Sequence, residues 1–261
     1  MQPVIELERV GFRYRHGSPA LSSVDLTLRA GEFVAIAGPN GGGKTTLLRL
    51  ILGLERPTTG RVLLFGEPAH ESAARRKVAY LPQRVSLMLT APVTVREMVA
   101  TGRAAIERPW GALSQQGWRR VEQAVARVGL SEVIDRPVNR LSGGQQQRAF
   151  LAKLLAGDPE LIALDEPTVG VDADTQEQLG AELAELNREL NVTILYVSHE
   201  FGAVEDFVER LVLVRGGIEY DGPVAGLAQR WHDPSHHHPR AGHHHHHYEH
   251  AHDRPAGDRE C

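Results

Sequence analysis

The chain has 261 residues, 41% of them hydrophobic and 24% charged, and a net charge of −4; this suffices for one large α/β core or a core with a small subdomain. That charge leaves no basic footprint for nucleic acid, no apolar run approaches the ~20 residues that span a bilayer, and residues 1–6 lack the basic flank and long apolar stretch of a signal peptide. The one cysteine, Cys261, cannot form an internal disulfide, which suits a reducing compartment.

Residues 4–7 and 24–28 alternate apolar and polar side chains and read as half-buried strands. Residues 33–37 form an apolar run, read as a buried strand. It leads into Gly38-Pro39-Asn40-Gly41-Gly42-Gly43-Lys44-Thr45, which fits G-x-x-x-x-G-K-[ST]. A helical pattern follows over 46–52, so the motif stands in the strand–loop–helix setting that it needs. Glycines there let backbone N–H groups wrap a phosphate chain, and the helix N-terminus adds partial positive charge. Lys44 supplies a point charge for the β- and γ-phosphates, and the Thr45 hydroxyl can hold Mg²⁺.

Further strands are expected at 61–65 and 78–81. Helical patterns cover 93–103 and 115–128, separated by a turn-rich stretch around Pro109-Trp110-Gly111. Residues 143–156 carry apolar side chains at helical spacing. Residues 161–164 form a buried strand that ends in Asp165 and Glu166. Such a strand delivers carboxylates to the edge where open α/β sheets bind ligands. Asp165 suits Mg²⁺, directly or through water, and Glu166 suits polarising an attacking water. An amphipathic helix is expected over 175–189, a β-branched strand over 192–197, and a hairpin from 207–214 and 217–221 around Gly216-Gly217. Strands alternating with helices predict a mostly parallel sheet. The stretch from 82 to 155 shows no clear strand and reads as a helical insertion. After residue 230 the composition changes: 11 of the 14 histidines fall there. With few apolar neighbours, they predict a disordered tail over 231–261.

Leu141-Ser142-Gly143-Gly144-Gln145, followed by Gln146, Gln147 and Arg148, resembles the signature motif of the ATP-binding cassette (ABC) ATPases. The resemblance covers about residues 4 to 230. It implies an α/β P-loop NTPase with a mostly parallel core sheet, an N-terminal antiparallel β-subdomain and a helical signature subdomain at about 84–155. It also assigns roles. Tyr14 matches the aromatic that stacks on adenine, Gln83 in Tyr80-Leu81-Pro82-Gln83 the glutamine that contacts Mg²⁺ and the attacking water. Asp172 matches the aspartate of the loop after the acidic pair, and His199 the histidine that contacts the γ-phosphate. The nucleotide set implied is Tyr14, Gly38, Pro39, Asn40, Gly41, Gly42, Gly43, Lys44, Thr45, Thr46, Ser142, Gly143, Gly144, Gln145 and Asp172. The Mg²⁺ set is Thr45, Gln83 and Asp165, and the catalytic set Glu166, His199 and Gln83. Two departures are mild: Val171 stands where leucine is commoner, and Glu200 where aspartate is.

In that family two cassettes pack head to tail, with ATP between the phosphate loop of one and the signature of the other. Ser142 and Gly144 are thereby expected on the γ-phosphate of a second copy's nucleotide, with Gly143 allowing close backbone approach. Only about 100 residues separate the two motifs and no long heptad run lies between them, which favours a transporter subunit over the chromosome-maintenance ATPases. The expected partners are a second copy, an integral membrane permease and, indirectly, an extracytoplasmic metal-binding protein, with the chain peripheral on the cytoplasmic face of the membrane. Ala91-Pro92-Val93-Thr94-Val95-Arg96-Glu97-Met98-Val99 resembles the ATPases of zinc and manganese importers. Tail residues His236, His237, His238, His243, His244, His245, His246 and His247 add a physical reason, because neutral imidazoles bind Zn²⁺. Imidazole discriminates weakly among metals, so manganese, iron, nickel or cobalt stay open as cargo, as does an unrelated solute. A soluble ABC regulator that stores metal on its tail stays open too.

Overall fold

A computed structural model describes residues 3–15, 17–83, 93–107, 111–167, 173–199 and 202–226. Its strands are, in chain order, β1 (Pro3–Arg13), β2 (Pro19–Arg29), β3 (Phe33–Ala37), β4 (Thr59–Leu64), β5 (Glu67–Pro68), β6 (Val78–Leu81), β7 (Leu161–Asp165), β8 (Thr193–Val197), β9 (Arg210–Val214) and β10 (Ile218–Pro223). Its α-helices are α1 (Lys44–Ile51), α2 (Ser72–Arg75), α3 (Val95–Glu107), α4 (Gln115–Arg127), α5 (Gly143–Leu155) and α6 (Ala173–Leu190).

Two sheets divide the strands. The first is antiparallel, in the order β2-β1-β4-β5; the second runs β10-β9-β3-β8-β7-β6. In the second sheet β3, β6, β7, β8 and β9 are parallel, and β10 returns antiparallel on β9. Every residue of β3, β7 and β8 is buried. This is why they read as unbroken apolar runs: a parallel sheet covered on both faces has no solvent side to alternate toward. Helix α1 packs Leu47, Leu48, Leu50 and Ile51 into one core with Val34, Ile36, Leu161, Ala163, Leu195 and Val197.

The differences from the sequence-based expectation have local causes. Strand β1 spans 11 residues, well past residue 7, because register shifts interrupt its pairing between Leu7 and Val10. Arg9 turns to positive φ there, and a bulge of this kind breaks the period-two pattern by which a strand is recognised. Ser23 does the same inside β2. Strand β5 and helix α2, unanticipated, are too short to show a period. Helix α1 starts at Lys44, two residues early, because Gly43 caps it in the left-handed conformation (φ 101°).

The helical segment follows expectation. Helices α3, α4 and α5 pack on one another through Val95, Met98 and Val99, through Val121, Ala124 and Val125, and through Ala149, Phe150 and Leu151. Thr94 and Glu97 close a capping box at the start of α3: Glu97 N donates to Thr94 Oγ1 (3.2 Å), and Thr94 N donates to Glu97 Oε2 (2.8 Å). Between 82 and 155, among the described residues, the only extended pairing outside the named strands is the bridge Thr94–Pro137.

The β9–β10 turn holds the loop at residues 38–43 in place. Gly216 N donates to Gly42 O (2.8 Å), and Gly216 O accepts from Ser22 N (2.8 Å). Gly38, at φ 147°, lies so close to β9 that a Cβ would stand 2.2 Å from the Val214 carbonyl oxygen. Gly38→Ala is expected to cost about 2–3 kcal/mol of stability, through clash and backbone strain, read as a lower urea midpoint.

Candidate active site

Parallel pairing lines up the ends of four strands. Leu81 of β6 is level with Leu164, Asp165 of β7 with Val197, and Ile36 of β3 also with Val197. The residues that follow each strand therefore meet at one edge, as open α/β sheets arrange their sites. A cleft of about 640 Å³ opens there, lined by Tyr14, Ala20, residues 40–46, Gln83, Glu166 and His199. A larger cleft of about 810 Å³ lies elsewhere, beside α4 and α5. Its charges neutralise one another, Arg120 with Asp158 (3.4 Å) and Arg127 with Glu189 (3.0 Å).

Lys44 is only 5% exposed. Its ammonium donates to the carbonyls of Gly38 (2.8 Å) and Pro39 (3.1 Å). Burial pulls its pKa below the ordinary lysine value, against the fields of Glu166 and Asp165, which favour the charged form. Gly43 gives α1 no side-chain cap, and its first turn holds no acidic residue. The positive end of the helix thus meets the cleft uncompensated, as an anion site requires.

Asp165 is 4% exposed. Oδ2 accepts from the Tyr80 hydroxyl (3.4 Å), while Oδ1 is buried without a partner. Burial, with Glu166 adding to it, raises its pKa above the usual carboxylate range. An unsatisfied buried acceptor costs about 1–3 kcal/mol, and a hard cation that takes oxygen ligands relieves that cost. The Asp165 carboxylate and the Thr45 hydroxyl are a donor set that suits Mg²⁺.

Glu166 stands at φ 48°, a conformation that costs a side-chain-bearing residue about 1–3 kcal/mol and clusters at functional sites. Its backbone N–H donates to Val197 O (2.7 Å), which pins the turn to β8. The carboxylate then accepts from Gln83 Nε2 on one oxygen and meets His199 Nδ1 at 3.1 Å on the other. Gln83, Glu166 and His199 form one connected group that can orient a water and accept its proton.

Tyr14, 42% exposed, bonds its hydroxyl to Thr46 Oγ1 (3.1 Å) and meets Phe12 edge-on at 4.8 Å. It borders the cleft at the phosphate-loop end. Ser142 and Gln145 close a capping box at the head of α5, with Ser142 Oγ accepting from Gln145 N (3.3 Å), and a Cβ at Gly143 or Gly144 would meet nothing within 4 Å. None of residues 142–145 lines the cleft. Asp172 and the tail histidines at 236–238 and 243–247 lie outside the described residues. Tyr80 and Gly216 were not legible as site residues. Their roles depend on which strands become neighbours, and nothing in a lone sequence states that β6 lies beside β7.

The ABC transporter family profile matches residues 21–169. The chain is 36% identical over 223 residues to the zinc uptake system ATP-binding protein ZurA of Listeria innocua, covering 85% of this chain and 86% of that protein. It is 36% identical over 228 residues to the manganese transport system ATP-binding protein MntB of Halalkalibacterium halodurans, covering 87% and 89%. Its fold superposes with a TM-score of 0.69 on the dimeric post-hydrolysis structure of the ATP-binding cassette MJ0796 bound to ADP and Pi, at 31% identity over 84% of this chain and 98% of that one.

Glu166→Gln keeps the shape of the side chain and removes its proton acceptor. Phosphate release from ATP is expected to fall by about 10²–10⁴, with ATP affinity, measured by equilibrium binding, unchanged within about twofold.

Proposed function

Because the chain belongs to the ABC transporter family and is an ATP-hydrolysing cassette, we propose that it energises import of a divalent metal ion, zinc before others, across the cytoplasmic membrane. The observation that carries hydrolysis is the connected group Gln83–Glu166–His199 at the same edge as the buried Lys44. In this reading the Lys44 ammonium passes from the loop carbonyls to the β- and γ-phosphates, and the loop amides wrap the chain of phosphates. Glu166 polarises the attacking water, with Gln83 orienting it and His199 meeting the γ-phosphate. Tyr14 stacks on the base. Thr45, Asp165 and Gln83 hold Mg²⁺, which when bound neutralises charge on the phosphates.

Residues 142–145 do not line the cleft; in this reading a second copy supplies Ser142, Gly143 and Gly144 to the nucleotide. The similarity to a dimeric cassette supports this arrangement. No helix among the described residues is long and apolar enough to cross a membrane. We assign the chain a peripheral place on the cytoplasmic face, against an integral membrane permease that an extracytoplasmic metal-binding protein supplies.

Zinc rests on two supports: the similarity to ZurA and the histidine-rich tail, where residues 236–238 and 243–247 offer imidazoles to Zn²⁺. A manganese importer is the second reading, favoured by an equal identity to MntB. Cells lacking this gene, grown under zinc limitation, separate the two. The expected result is a fall in cellular zinc that the wild-type gene rescues and Glu166→Gln does not. A fall confined to manganese moves the cargo and keeps the ATPase.

A further inference from the structure

Among the described residues, Asp165 receives one side-chain hydrogen bond, from Tyr80 to Oδ2 (3.4 Å), while Oδ1 is buried and unpartnered. The pair comes from neighbouring parallel strands. Tyr80 is in register with Ala163, and Ala163 shares a sheet face with Asp165, two residues on. This is the face that α1 covers, since Ala163 and Leu161 join Leu47, Leu48 and Ile51 in one core. The methyl side chain of Ala163 leaves room for the half-buried phenol to reach along the strand to the carboxylate.

We propose that Tyr80 is a positioning residue for the Mg²⁺-binding carboxylate. Its hydroxyl occupies Oδ2, fixes the carboxylate rotamer and leaves Oδ1 as the oxygen available to the cation. Outer partners of this kind orient ligands at metal sites. A phenol does this without adding charge. A lysine or arginine at the same place would neutralise Asp165 and compete with a divalent cation, beside the Arg49 and Lys44 charges already acting on it. Tyr80 also lies three residues before Gln83 on the same outgoing chain, so one hydroxyl ties the strand that leads to Gln83 to the strand that ends in Asp165.

The inference rests on the reading of Asp165 as a Mg²⁺ ligand, and a binding experiment on the full chain separates the two. A fluorescent ATP analogue is titrated in EDTA and then across a range of Mg²⁺ concentrations. The wild type, Tyr80→Phe and Asp165→Asn are compared. Tyr80→Phe is expected to keep the metal-free affinity and the melting temperature of the wild type, while the Mg²⁺ concentration at half-enhancement rises about tenfold. Asp165→Asn is expected to abolish the enhancement. Enhancement retained in Asp165→Asn overturns the reading of Asp165 itself. Enhancement lost there but unchanged within twofold in Tyr80→Phe overturns the role of Tyr80 alone. A Tyr80→Phe chain whose metal-free affinity or melting temperature also falls assigns Tyr80 a purely structural role and overturns the proposal equally.

Discussion

In-register parallel pairing of β3, β8, β7 and β6 is the constraint from which the site is built. Level strand ends bring the residues after them to one line. A shift of a single residue in any of these pairs would turn Asp165 to the opposite face and separate Glu166 from His199. The register is held by burial: all five residues of each of β3, β7 and β8 are buried, most of them apolar. The same burial lowers the dielectric around Lys44 and Asp165, so the core that stabilises the sheet also sharpens the electrostatics of the cleft.

The chain's own groups satisfy the site's charges only in part. The ammonium of Lys44 rests on two carbonyls, one oxygen of Asp165 has no partner, and the positive end of α1 borders the cleft without an acidic residue in its first turn. Each of these deficits has the sign that a triphosphate with its cation would repair. Polar groups set in advance around a phosphoryl group are the main means by which such sites lower the barrier, because the chemistry asks for positioning and charge neutralisation more than for covalent help. The left-handed Glu166, tied to Val197, Gln83 and His199, belongs to the same preorganisation.

Much of this was legible in the chain. The phosphate loop announces itself through glycines and a lysine at fixed spacing, and the buried strands through unbroken apolar runs. The acidic pair stands out because two carboxylates at the end of such a run are costly unless used. Other features were hidden for physical reasons. The far half of β1 is masked by a bulge at Arg9, and β5 is too short to carry a period. The contact of Tyr80 with Asp165 depends on strand order, which local patterns do not encode. The clamp from Gly216 to Gly42 joins residues 174 positions apart through backbone atoms alone, and backbone groups leave no mark in composition. That residues 142–145 do not line the cleft is likewise a property of the fold.

A site shared between two copies is the proposal on which this account turns, and the state of association tests it most directly. Sedimentation of the Glu166→Gln chain with and without ATP, alone and combined with Ser142→Arg, isolates the contribution of the second motif. A head-to-tail ATP site predicts a dimer that forms with ATP and disperses on its removal. Ser142→Arg is then expected to leave a monomer that still binds ATP. A chain that stays monomeric with ATP bound, or a Ser142→Arg chain that dimerises as before, would contradict the shared site.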